Sequence, residues 1–454
     1  MNWNLCLLMV SFPISRVHVG FVEDCLNLSR SLTYMRTFSR CILFMFPTSF
    51  GIVAMAESVL YSDLHFSSPV VSDFNLMYHI FSFISSPQDR LSASLVCHLW
   101  NKVMITRTQY LVIKSRSLCS LLMRFSCIKE LDASRCCDEI TDSDLILASP
   151  FLHGIQTLLI GHPDSPQKKI SNVGLRNAAS YCSFLHKIVL SSLENISDDA
   201  IVDITKGCPC LRVVSLEDCL NLGDASLKAI CKLNNMQEIT LKGKFGFTSE
   251  GLGIIGGDCP SLLKVCLEFC SLEVGYALKS ISTGCPLIQE LSLKARTMDL
   301  WCMAKCSTLT CLRVEMGATS APIDLDEMVI AVVEANKNIK ELVFRSQYEH
   351  PKEATIVRVI QRCQKLEKLH INAIGLTGLA LHGLMDCRSL KSLALDSGKG
   401  FQDIEFQRLM ECSHMLEFLD LRRCISLSRD GFCSIAFCKN LQALNLSFTN
   451  VDDF

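Results

Sequence analysis

From residue 125 onward the apolar positions of this chain keep one register. The pattern is Cys-x-x-Leu-x-x-Leu-x-Leu, with other aliphatic residues allowed at the leucine places. It fits without gaps eight times, from Cys182, Cys208, Cys259, Cys285, Cys306, Cys363, Cys387 and Cys438. Four more copies keep the aliphatic frame with Phe125, Leu152, Leu233 or Asn336 in place of the cysteine, and a thirteenth begins at Cys412 with one residue inserted. Successive starts lie 21 to 30 residues apart, a spacing typical of stacked repeats. Leu-x-Leu predicts a short strand with alternate residues facing a core, and the segment after it predicts an amphipathic helix, as in DASLKAICKL (Asp224 to Leu233). Neither element buries its apolar face alone, so neighbouring units must stack into one continuous core.

Residues 72–115 follow another pattern. LMYHIFSFI (Leu76 to Ile84) is a short, mostly apolar run. In and just after DRLSASLVCHLW (Asp89 to Trp100), the positions Leu91, Leu95, Val96, Leu99, Trp100 and Val103 predict one helix with a broad apolar face. Ser86-Pro87 ahead of Asp89 reads as its capped start. Two such helices bury little by themselves and need a partner surface or a larger neighbour.

Charge and composition narrow the function. The formal net charge is −2, from 44 basic and 46 acidic residues without a basic cluster, which argues against nucleic acid as a partner. A hydrophobic content of 49% suits a large core. The 26 cysteines mostly recur inside the repeat period, which predicts buried free thiols in a reducing compartment rather than a disulfide framework. Cys208-Pro209-Cys210 lacks a second pair at zinc spacing, and no cysteine stands apart with a histidine, so neither a metal, a cofactor nor a catalytic thiol is expected. Residues 5–14 and 41–56 are apolar, but the first lacks a basic flank and the second is broken by Pro47, so no membrane association is expected. Residues 1–54 read as an atypical extension that need not belong to the functional protein, with Met55 opening an ordinary start and 55–71 a flexible segment. At the other end, the last unit stops just after its strand, as expected of a chain truncated there or covered by another.

The thirteen registered copies resemble the cysteine-containing subtype of leucine-rich repeats. The resemblance implies an α/β fold in which residues 116–454 form a curved solenoid, its parallel sheet lining the concave side. A second resemblance lies ahead of it: HIFSFISSPQDRLSASLVCHLWNKV (His79 to Val103) is similar to an F-box, matching at Ile80, Phe81, Ser82, Phe83, Ile84, Ser94, Leu95, Val96, Cys97 and Trp100. This implies a small all-α domain over 72–115. The usual opening Leu-Pro and following Glu are replaced by Ser72, Asp73 and Asn75, which implies a weakened or absent linker contact.

Together the two resemblances imply a non-catalytic, substrate-recognition subunit of an SCF-type ubiquitin ligase in the cytoplasm and nucleus. Leu76, Ile80, Phe81, Phe83, Ile84, Leu95, Val96, Cys97 and Trp100 would dock on a Skp-family linker and through it a cullin. The solenoid would hold a target protein for ubiquitination and degradation. Positions flanking the strand leucines should line the concave face, among them Glu217, Lys242, Glu268, Lys294, Arg313, Arg345, His370, Asp396 and Arg422. Lys242, Lys294, Arg313 and Arg345 could form a basic ladder for an acidic or phosphorylated segment, partly neutralised by the interleaved Glu217, Glu268 and Glu315. Polar connections within 314–330 and 344–356 are further candidates for specificity. Two other readings use the same architecture: an interaction scaffold whose helices merely cap the solenoid, and a small-molecule co-receptor of the hormone-sensing type.

Overall fold

The thirteen registered copies become thirteen strands of one parallel sheet, preceded by a strand that the pattern does not reveal. The computed structural model describes residues 74–83, 93–113, 118–136, 139–268, 274–295, 300–316, 325–346 and 350–450. The segments 1–54 and 55–71 and the centres of both polar connections lie outside them. The chain divides after Thr108 into two units.

In the second unit the strands are β1 (Tyr110–Val112), β2 (Glu130–Ala133), β3 (Thr157–Ile160), β4 (Gln167–Ser171), β5 (Lys187–Ser191), β6 (Leu193–Asn195), β7 (Val213–Glu217) and β8 (Glu238–Lys242). They continue as β9 (Lys264–Glu268), β10 (Glu290–Ala295), β11 (Cys311–Met316), β12 (Glu341–Ser346), β13 (Lys368–Asn372), β14 (Ser392–Asp396), β15 (Phe418–Asp420) and β16 (Ala443–Asn445). All but β4 and β6, which pair with each other, form one fourteen-stranded sheet in chain order. A helix follows most strands, for example Asp198–Gly207, Asp224–Cys231 and Ser249–Asp258. Adjacent strands lie about 4.8 Å apart, whereas packed helices need about 8–10 Å, so this leucine-rich-repeat solenoid bends with its sheet inside. The additional strand, β1, pairs with β2 and lies within the 72–115 span that the sequence assigns to the helical domain.

The pattern residues fill the core. Within β7 and β8, Val214, Leu216, Ile239 and Leu241 are buried while Ser215, Glu217, Thr240 and Lys242 on the other face are not. All eight cysteines that open ungapped copies are buried and free. Burial pushes the thiols of Cys182, Cys208, Cys285 and Cys363 up to about 12, which keeps them protonated and inert. The copy read as starting at Cys412 is corrected. Cys412 is exposed, and Ser413 takes the turn position, its carbonyl accepting from Leu416 N at 3.2 Å, so no residue is inserted. Asn336 replaces the cysteine for a physical reason: its Oδ1 accepts from Leu309 N at 2.9 Å and its Nδ2 donates to Val332 O at 2.8 Å.

Successive helices are tied together by a staircase of first-turn acceptors. Asp142 accepts from Ser171 N at 2.8 Å and Gly174 N at 3.1 Å, and Asn172 Oδ1 from Ser197 N at 2.9 Å. Asp198 accepts from Gly223 N at 2.8 Å, Asp224 from Thr248 N at 2.8 Å, Asp326 from Lys352 N at 2.7 Å, Glu353 from Thr377 N at 2.7 Å and Asp403 from Ser428 N at 2.9 Å. Each acceptor thus satisfies an orphan donor at or near the start of the next helix. The approach is so close that a Cβ at Gly251 would lie 1.8 Å from Asp224 Oδ1.

Among the described residues of the first unit, the helices include Phe74–Ile80, continued by a 3-10 turn at Phe81–Phe83, and His98–Arg107, with Ala93 and Ser94 helical as well. The single helix expected from Leu91 to Val103 is not continuous, because Cys97 is extended (φ −158°, ψ 169°) and caps a new helix through its sulfur, which accepts from Trp100 N at 3.5 Å. The extended cap separates Leu95 and Val96 from Trp100 and Val103.

Candidate functional site

The strand register orders the concave face into three rows. The centre row runs Ser215, Thr240, Cys266, Ser292, Arg313, Val343, His370, Ala394, Asp420 and Asn445. The row at the strand ends runs Glu217, Lys242, Glu268, Lys294, Glu315 and Arg345, so charge alternates from strand to strand. The row at the strand starts runs Glu238, Lys264, Glu290, Cys311, Glu341 and Lys368. Sequence reading missed this third row, although a charged residue directly before the first strand leucine recurs in KVCLE, ELSLK and ELVFR.

This geometry overturns the basic ladder. Lys242 lies 3.3 Å from Glu268, Lys294 2.9 Å from Glu315, Lys264 3.2 Å from Glu290 and Arg313 2.5 Å from Glu341. Arg313 moreover lies in the centre row rather than beside the lysines, while Arg345 is exposed at the end of its row. Parallel pairing puts opposite charges on neighbouring strands, so Lys242, Lys264, Lys294 and Arg313 each face a carboxylate before any ligand arrives. A depression of about 450 Å³ lies over β7 to β11, lined by Ser215, Glu217, Thr240, Lys242, Lys264, Cys266, Glu268, Ser292 and Arg313. Burial raises the Glu217 carboxyl against the pull of Lys242, and burial with the neighbouring Glu268 pushes the Cys266 thiol up to about 12.

His370, Asp396 and Arg422 lie further along. His370 is 7% exposed, stacks on Phe418 at 5.5 Å and shares a 2.7 Å hydrogen bond with Ser392 Oγ. Burial, helped by Lys368 and Arg345, holds its imidazole down at about 4, so it is neutral near pH 7. Arg422 Nε donates to both oxygens of Asp420 at 3.0 Å, and Asp396 faces Arg422 and Arg423 at 3.8 Å each. These residues form a paired cluster distinct from the alternating rows.

The F-box-like positions separate into two groups. Phe81 and Trp100 meet edge to face at 4.9 Å within a core that includes Met77, Ala93, Val103 and Met104. Leu95 (79% exposed), Val96 (54%) and Cys97 stand in solvent. Leu76 and Ile80 lie on the first helix and Phe83 on the 3-10 turn, whereas Ile84 falls outside the described residues. Among the described residues no group of three or more metal-ligating side chains converges, and no helix is long and apolar enough to cross a membrane.

No protein-family model matches the chain. Among solved structures it is similar to one titled a Rad7 and Elc1 complex in yeast, at a TM-score of 0.52 and 15% identity, over 85% of this chain and 94% of that one. An internalin (inlF) from Listeria monocytogenes matches at a TM-score of 0.42 and 15% identity, over 74% of this chain and 89% of that one. At such identity the likeness to the first shows the solenoid fold alone.

Proposed function

We propose that this chain is a non-catalytic target-recognition adaptor of an SCF-type cullin ubiquitin ligase, acting in the cytoplasm and nucleus. The observation that carries the proposal is the cluster Leu95, Val96 and Cys97, exposed ahead of a solenoid whose concave face is lined with charged side chains. Adjacent large apolar residues held in water call for a partner, and in the resembled F-box these positions meet the Skp-family linker. The fold likeness to a structure of Rad7 with Elc1, itself a complex, supports an adaptor held by a second protein. In this reading the concave face holds the target and the linker and cullin bring a conjugating enzyme close. The chain contributes proximity and orientation but forms no bond itself.

One observation favours a second reading. Phe81 and Trp100 are spent on each other inside the first unit, as expected if these helices only cap a scaffold. Pull-down of the full chain with a purified Skp-family linker separates the two. The adaptor reading expects retention of the linker and its loss in Leu95→Asp/Val96→Asp. Absent binding, or binding that survives deletion of residues 72–103, refutes it in favour of the scaffold.

A further inference from the structure

We propose that the element received by the concave face is an α-helical segment of about three turns, carrying both acidic and basic side chains and laid across β7 to β10. The inference rests on the adaptor reading only in taking this face as the recognition surface.

Width supplies the first argument. Ser215, Thr240, Cys266 and Ser292 make a floor of small side chains, one per strand, which the longer Arg313 closes on the next strand. The rows on either side are four residues apart along each strand, as Glu238 is from Lys242. At ~3.3 Å per residue they stand about 13 Å apart, a channel that accepts a helix of ~10–12 Å diameter.

Spacing decides between helix and extended chain. Charge on the strand-end row changes sign at every strand, a step of ~4.8 Å. Successive turns of a helix are ~5.4 Å apart, so over three steps its side chains drift by about 2 Å and stay opposite their partners. Same-face side chains of an extended peptide are ~6.7 Å apart and drift by about 6 Å, more than one strand, which brings like charges together.

Charge pairing selects the composition. Lys242, Lys264 and Lys294 already face Glu268, Glu290 and Glu315. A phosphorylated or uniformly acidic segment would have to break those pairs while its own charge met the displaced carboxylates. A helix whose facing charges alternate in sign from one turn to the next, at i, i+3 or i+4, exchanges one set of pairs for another.

The test pans the full chain against three displayed libraries: single helices randomised on one face, linear 14-residue peptides, and the same peptides carrying phosphoserine. Enrichment of helices whose charges alternate in sign from one turn to the next, at i, i+3 or i+4, is expected. Their affinity should fall at least tenfold on Lys242→Glu or Lys294→Glu protein that melts like the wild type, and return when the facing charge of the helix is reversed. Enrichment confined to linear or phosphorylated peptides overturns the proposal, as does no enrichment at all or helices indifferent to both variants. A linker pull-down on the same preparation tests the adaptor reading separately: no linker retention with helix enrichment intact removes that reading alone.

Discussion

Removing one step of the acceptor staircase should uncouple neighbouring repeats, and Asp326 is the place to do it. Its Oδ1 accepts from Lys352 N at 2.7 Å and Thr355 Oγ1 at 2.6 Å, and Oδ2 meets Lys352 Nζ at 3.1 Å. Burial works against the Asp326 carboxylate, but the bonds from Thr355 and Lys352 outweigh it and hold the carboxyl below its usual range. Hydrogen bonds to a charged group contribute ~1.5–3 kcal/mol each, and the exposed lysine pair adds ~0–1. Because the carboxylate keeps some solvent contact, Asp326→Ala should cost about 2–4 kcal/mol. The contribution is present above the unfolded aspartate pKa and disappears as pH falls through the lower folded value, so wild type and variant should converge in strong acid. Urea unfolding followed by circular dichroism gives the loss, and hydrogen exchange locates it in the helix Glu353–Arg362. The control is Glu250→Ala, which removes an exposed first-turn carboxylate and should cost less than ~1 kcal/mol through the helix dipole alone. Equal losses in the two variants would refute the claim that these carboxylates couple repeats.

Other consequences are as direct. His370 is held at about 4 in the fold against 6.5 unfolded, so the unfolded chain binds the extra proton in that interval, and stability falls as pH drops from 6.5 towards 4. His370→Gln, which retains a partner for Ser392, should remove about 2–3 kcal/mol of that pH dependence in paired urea titrations at pH 7 and 4.5, and an unchanged difference would show the imidazole is not responsible. Restoring the pattern residue with Asn336→Cys should destabilise by about 1–3 kcal/mol, since Leu309 N then loses its acceptor in a buried site; a neutral result would mean another group takes over. Leu216→Ala in the fully buried strand position should cost about 2–5 kcal/mol, whereas Ser215→Ala on the opposite face should change the melting temperature little.

These outcomes follow from features that differ in how far the sequence exposes them. The solenoid core was legible in its frame, because an aliphatic residue repeats at fixed spacing and is buried in every copy but the last, where Leu444 is 45% exposed, and thirteen of the main sheet's fourteen strands follow from that alone. Tyr110–Val112 escaped because the residues before it lack the Cys-x-x-Leu turn that opens a copy, with Thr108 three places ahead of Leu111 where the other copies carry an aliphatic residue. Cys412 misled for a related reason: side-chain identity marked the turn, but the hydrogen bond to Leu416 N places it at Ser413, and the same backbone closure recurs in copies that open on Leu152, Leu233 or Asn336 and have no sulfur there. The candidate recognition face was legible as a set of positions and illegible as a field. Lys242, Lys294 and Arg345 look like a basic series when read by repeat, and the interleaved Glu268 and Glu315 were legible as partial neutralisers, but only the register adds the strand-start row and sets Glu341 beside Arg313. In a parallel solenoid a residue's electrostatic neighbours are about 26 positions away in sequence, so the charge a ligand meets is a property of pairs of repeats. A substitution at Lys242 therefore changes what Glu217 and Glu268 present as well, and single-site scans of this face should show coupling between adjacent strands that falls away beyond them.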